Sequence, residues 1–183
     1  MEEIKIEKLP EAKVLLVTAT PIITPEQFDL LTEGQDAIVF LVFATGTSPE
    51  RLNNIIKKRT QEGTPIFLVS NNPGDNHGII KITYDVQVES SKAGAIPLEK
   101  VNVNNLEEII SEIKKQFLTG KKGIELAHAV QNVFSYKEGE EKPVPGWENP
   151  NEVKKQKDLT RSTLRRLGLS EIDIEKELIK MGF

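Results

Sequence analysis

The chain of 183 residues has no cysteine. Disulfides, thiol catalysis and zinc sites built on thiolates are thereby excluded. Its two histidines, His77 and His128, stand far apart in sequence, which argues against an imidazole metal site. No run approaches the roughly 20 apolar residues of a membrane span, and Met1-Glu2-Glu3-Ile4-Lys5 lacks the apolar core of a signal peptide. No membrane partner and a cytoplasmic location are therefore the expectation. A net charge of -4 supplies no bulk attraction to nucleic acid. What is present, 38% hydrophobic and 28% charged residues, is the composition of a globular protein with one well-cored domain and room for an appendage.

The apolar residues fall into short runs separated by helical patterns. Lys13-Val14-Leu15-Leu16-Val17-Thr18 reads as a strand buried on both faces. Thr24, Pro25 and Gln27 form an N-cap, a first helical residue and a capping-box partner, opening a helix through Phe28, Leu30 and Leu31. Ala37 to Phe43 reads as the central strand, and Pro65 to Ser70 as a third. Between them Ser48 is expected to cap a helix starting at Pro49 and carrying Leu52, Ile55 and Ile56. Two such strand-helix-strand units imply right-handed crossovers and parallel strands. Ile79 to Thr83 is read as a fourth, shorter strand. Helices follow over Tyr84 to Lys92, over the stripe Leu106, Ile109, Ile110, Ile113 and Phe117, and around Ala127 to Phe134. The expected fold is thus α/β, a small parallel sheet of about four strands flanked by helices in a Rossmann-like three-layer arrangement, with a helical C-terminal appendage.

The domain is expected to cover residues 1–120, the helical extension 121–183, with a mobile linker at 137–150 rich in Glu, Lys, Pro and Gly. Trp147 in that linker is expected to dock in an apolar groove. Two helices meeting near Gly168, the second opened by Ser170, complete the chain. On the first, Lys154, Lys157, Arg161 and Arg165 share one face, which suits RNA or an acidic partner but is read here as a solvated face interrupted by Glu152 and Asp158.

Two polar loops mark the functional candidates. Thr45, Gly46, Thr47 and Ser48 follow the second strand, and Ser70, Asn71 and Asn72 follow the third. Loops at the carboxyl ends of neighbouring parallel strands build the binding crevice of open α/β sheets. Hydroxyls and amides at a helix N-terminus suit a carboxylate or phosphate. Asp75, His77 and Asp85 supply acid-base groups nearby, with no nucleophile and base pair assignable.

Four stretches, in order, resemble one family. They are Val14 to Val17 with Pro21 and Pro25; Ile38 to Phe43 leading into Thr45-Gly46-Thr47-Ser48-Pro49; Gly63-Thr64-Pro65 through Ser70 to Pro73-Gly74; and Tyr84 with Lys92-Ala93-Gly94-Ala95-Ile96-Pro97. Together they are similar to the smaller, C-terminal domain of bacterial- and archaeal-type L-asparaginases and of the related transfer-RNA-dependent amidotransferase subunit. The family's catalytic threonines lie in a larger N-terminal domain, which, with 12 residues before Lys13, this chain is expected to lack. The resemblance therefore implies no catalytic residue here and no hydrolysis by the chain alone. It implies no cofactor and no metal. It does imply a homodimer, a small polar ligand such as an amino acid or amide, and a separate catalytic subunit if the enzyme is split. Where the family's loop has Gly-x-Gly-Asn-x-Pro, this chain has Ala44 for the first glycine and Thr47 for the asparagine. An interaction scaffold whose C-terminal helices recruit a partner is the alternative reading.

Overall fold

Every residue of β2 (Ala37–Val42) and β3 (Ile66–Ser70) is buried, as continuous apolar runs require when helices cover both faces of a parallel sheet. The structure, a computed structural model, describes residues 11–43, 48–79, 85–142 and 150–183. β1 (Val14–Thr18) pairs with β2, β2 with β3, and β3 with β4 (Ile96–Asn102), which follows helix α3 (Asp85–Lys92), all parallel and in that spatial order. The chain divides into two compact units, Met1–Glu141 and Lys142–Phe183.

Alternation along the strands sorts side chains between two cores. Ala37, Val39, Leu41, Phe67 and Val69 face α4 (Leu106–Leu118) and α5 (Gly123–Val133), which contribute Ile109, Ile113, Phe117, Leu126 and Val130. Ile38, Phe40, Val42, Ile66 and Leu68 face the other way, onto Phe28 of α1 (Pro25–Thr32) and Ile56 of α2 (Asn53–Gln61). Phe28 and Phe40 pack with ring centroids 5.0 Å apart. The α1 capping box forms as expected, Gln27 N donating to Thr24 Oγ1 at 3.2 Å and Thr24 N to Gln27 Oε1 at 3.0 Å.

Two expectations are corrected. β1 is an edge strand among the described residues rather than one buried on both faces: no described strand lies beyond it, and Leu16 is 43% exposed. The fourth strand of the described sheet is β4; the expected strand from Ile79 to Thr83 falls, apart from its first residue, outside the described residues. Of that segment only Ile79 is described, donating its amide to Leu98 O at 3.0 Å, beside an antiparallel bridge from Gly78 to Glu99. Gly78 needs its positive φ (68°) and missing Cβ there, because a Cβ would sit 2.7 Å from Leu98 O. Finally, Ser48 caps no helix: the cap positions of the 3₁₀ turn and of α2 fall on Pro49 and Leu52.

β4 contains Pro97, Glu99 and Lys100, so its pattern does not announce a strand. It bulges: Leu68 pairs with Pro97, but Ser70 pairs with Asn102, and Lys100 takes up the irregularity with a φ of 64°. The Lys100 ammonium bonds Glu140 at 2.7 Å and lies 4.8 Å from the Tyr136 ring centroid. That hydrogen bond, with one from the Lys137 amide, holds the Glu140 carboxyl below its ordinary pKa. Residues 137 and 140, the start of the expected linker, are thus tied together, and Glu140 to β4. Trp147 lies outside the described residues.

The C-terminal unit is a pair of helices, α6 (Pro150–Arg166) and α7 (Glu171–Lys180). Ser170 caps α7, accepting from Asp173 N at 3.2 Å. Arg165 Nε donates to Glu171 at 2.7 Å and Arg161 pairs with Glu175, so two of the four cations on the basic face serve the hairpin itself. The Arg165 contact is what lowers the pKa of Glu171 and raises that of Arg165.

One buried cation joins α1 to α2. Arg59, 2% exposed, donates to Thr32 Oγ1 (3.0 Å), to Asp29 O (2.7 Å), to the Asp29 carboxylate and to Glu62 (2.7 Å). The guanidinium's five donors, spread over a planar fork, serve all four acceptor groups, more than the three donors of a compact ammonium can meet. Arg59→Ala should cost about 2 kcal/mol or more by leaving buried acceptors without a donor, and Arg59→Lys should recover less than half. Urea denaturation checks both; a cost below a few tenths of a kcal/mol for Arg59→Ala would contradict this role.

Candidate functional site

The two polar loops leave adjacent parallel strands at the same end of the sheet. Val42 and Ser70 are register partners, and Asn71 N donates to Val42 O at 3.0 Å, so the chain after β3 starts its turn against the end of β2. The residues expected to flank a crevice therefore leave the sheet from the carboxyl ends of β2 and β3, which are neighbours. Of its residues, Thr45, Gly46 and Thr47 lie outside the described ones. Ser48, Ser70, Asn71 and Asn72 are placed, and they divide into two chemical kinds.

The β3 loop is closed on itself. Ser70 Oγ donates to Asp75 Oδ2 at 2.5 Å and accepts from Asn72 N at 3.2 Å. Asn72 Nδ2 donates to Asp75 Oδ1 at 3.1 Å, and its Oδ1 accepts from Gly74 N at 3.0 Å. The buried Asn102 donates to Pro73 O at 3.2 Å, and Asn104 to the same oxygen at 3.4 Å. The β4 bulge makes this possible by bringing Asn102 level with Ser70. Side chains so engaged shape the loop and leave its outward groups, such as the exposed Asn71, for contact. Asp75, read from the sequence as part of a surface loop, is the hub. His77 Nδ1 bonds its neighbour Gly78 O at 2.9 Å and does not join the Ser70–Asp75 pair. No serine-histidine relay is assembled among these described residues.

Ser48 is the opposite case. Ser48 is 2% exposed, yet its Oγ has no hydrogen-bond partner among the described residues, and Asn53 Oδ1, at the first residue of α2, has none either. The expected Ser48 cap fails for a local reason. A 3₁₀ turn over Glu50–Leu52 intervenes before α2, its cap position falls on Pro49, and Pro49 has no side-chain acceptor. Buried polar atoms are nearly always paired, so two unpaired ones beside one loop ask for an explanation. The donor of a ligand amide or ammonium, or the acceptor of a carboxylate facing Ser48, would supply one.

A cleft of about 300 Å³ opens near the amino ends of β3 and β4, lined by Thr60, Pro65, Gly94, Ile96, His128 and Gln131 among others. Sequence reasoning gave no sign of it. It has no unpaired buried polar atom among the described residues, so the segments that leave the carboxyl ends of β2 and β3 remain the better candidate. No group of three or more His, Asp or Glu that would hold a metal occurs among the described residues, and no helix there is long and apolar enough to cross a membrane.

An open four-stranded parallel sheet with helices packed on both faces defines an α/β fold. No protein-family model and no curated protein matches the sequence. Solved structures do. The chain is similar to the thermostable L-asparaginase from Thermococcus kodakarensis, with TM-score 0.55 and 20% identity over 70% of this chain and 38% of that one. It is also similar to L-asparaginase I from Vibrio cholerae O1 biovar eltor, with TM-score 0.58 and 16% identity over 72% of this chain and 39% of that one. The chain thus spans under two-fifths of either asparaginase. The resemblance seen in the motifs holds at the level of fold.

The two loops make opposite demands on a hydroxyl. Ser48→Ala should leave the free protein as stable or raise its stability by about 1 kcal/mol, because an unpaired buried hydroxyl costs and a methyl group does not. Ser70→Ala should lower stability by about 1 kcal/mol, since it strips Asp75 of a donor and Asn72 N of an acceptor. Paired thermal melts check this; a clear loss of stability in Ser48→Ala would show that the hydroxyl is already satisfied.

Proposed function

We propose that this chain is an asparaginase-like small domain that acts as a non-catalytic binding and assembly module. Its loops at Thr45 to Ser48 and Ser70 to Asn72 would contribute to a crevice completed by another subunit, in the manner of one half of a split amidohydrolase. The ligand would be a small polar molecule, an amino acid or an amide. The observation that carries the reading is the buried, unpartnered Ser48 Oγ beside a loop at the carboxyl end of the central strand. The engagement of Ser70 with Asp75 supports a structural rather than nucleophilic use of that serine.

A second reading has its own observation. Leu159, Leu167, Ile172 and Ile179 on the C-terminal helices are each 68–71% exposed, which favours recruitment of a partner by that hairpin.

A thermal-shift screen of amino acids, amides and short carboxylates tests the first reading. A ligand held at 100 times its dissociation constant should stabilise by about 2.7 kcal/mol, and Ser48→Ala should weaken it at least tenfold. Ammonia release from asparagine or glutamine by the chain alone should stay at the blank. Absence of any stabilising ligand, or ammonia release that survives repurification, would overturn the proposal.

A further inference from the structure

Arg59, Arg161 and Arg165 each lie against a carboxylate, so their charges are matched within the chain. Arg51 is held by as many bonds but by neutral groups alone. It sits in the 3₁₀ turn that follows Ser48, and its guanidinium meets only backbone carbonyls. Nε donates to Ile23 O at 2.7 Å, and Nη2 to Pro21 O at 2.7 Å and to Thr20 O at 3.4 Å. Those bonds use three of a guanidinium's five donors. The N–H groups of Nη1 have no acceptor among the described residues, and no carboxylate there bonds the cation.

The three carbonyls belong to the segment that leaves β1. Ala19 N donates to Leu41 O at 2.7 Å, so this segment departs from the same end of the sheet as the one after β2. Ile23 is buried in one apolar cluster with Val42 and Leu52, which packs the two segments against each other. Arg51 then links them across 28 positions of sequence. Ser48, buried and with its Oγ unpaired, precedes Arg51 on the same short stretch. A cation and a hydroxyl are thus brought together to the carboxyl end of the sheet, and no described carboxylate bonds either of them.

We infer that Arg51 is the anion-binding residue of this site and that the ligand carries a carboxylate, which accepts from Nη1. The inference rests on the functional reading above and narrows it, from amino acids and amides in general to those with a carboxylate. Carbonyl dipoles satisfy hydrogen bonds without cancelling a charge, so the guanidinium keeps its full positive charge where it is held. Its plane is already fixed by three bonds, and little side-chain freedom is left to lose when an anion binds. Donors of this kind favour planar anions, and bonds to an ionised acceptor are the stronger ones. A neutral amide gains nothing from the charge. Sequence reasoning passed over Arg51 because its carbonyl partners lie on the far side of α1 and β2 in the chain.

Calorimetric titration of the full chain with succinate, succinamate and succinamide tests this, because the three share one skeleton and carry two, one and no carboxylate. Succinamate should bind about fivefold or more tightly than succinamide. Raising salt from about 0.05 M to about 0.5 M should narrow that gap. Arg51→Gln removes the charge, and should bring the two to within about twofold of each other without weakening succinamide; Arg51→Lys should restore part of the gap. The native-chain comparison and its salt dependence decide the matter if Arg51→Gln does not fold. Succinamide bound as tightly as succinamate, a loss shared equally by all three ligands in Arg51→Gln, or inorganic phosphate bound more tightly than succinate would overturn this inference alone. Binding of none of these ligands would overturn the functional reading and this inference with it.

Discussion

The structure depends on sealing β2 and β3 on both faces. Eleven consecutive-run residues, six in β2 and five in β3, are buried without exception. A parallel pair cannot be closed by a hairpin, so each strand must be followed by a crossover long enough to hold a helix. The helices then have no choice of face: α1 and α2 cover Ile38, Phe40, Ile66 and Leu68, and α4 and α5 cover Val39, Leu41, Phe67 and Val69. The loops that leave the two strands at their carboxyl ends are brought side by side by the same pairing. The site is a consequence of the sheet.

What could be read from the residues was whatever was local or continuous. The all-apolar run from Ala37 announces a central strand, Thr24 and Gln27 announce a helix start, and the stripe Ile109, Ile113, Phe117 announces a packed face; each is as read. What could not be read was decided by partners distant in sequence. β4 has proline and two charges, and becomes a strand because β3 has an open edge and Leu98 and Val101 have a core to enter. Arg59 looks like any helical cation, but its acceptors lie on α1 near Asp29 and Thr32. β1 looks like a core strand, and is an edge because nothing in its own five residues says how many neighbours it will have.

The candidate site divides along the same line. The positions of Ser48 and Ser70 to Asn72 were legible, since polar residues after apolar strands mark loops. Their hydrogen-bonding states were not. Ser70 is satisfied by Asp75 and Ser48 is left unpaired, a difference created by a 3₁₀ turn in one loop and a β4 bulge beside the other. The chain shares its fold with L-asparaginases, of which it spans under two-fifths; within that fold the residues after β3 are held by their own side chains, while Ser48 Oγ has no partner among the described residues. Rigid and receptive loops on adjacent strands are how a small sheet can present a preorganised surface to a subunit or ligand.

The most direct measurement is an amide-resolved nuclear magnetic resonance titration of the full chain with asparagine, glutamine, aspartate and simple amides. The account requires saturable shifts confined to Ser48, Asn53 and the Ser70–Asn72 turn, with Arg59 and the α4 amides unmoved. Shifts clustered instead at Gly94, His128 and Gln131, or no saturable shift with any of these ligands, would contradict it.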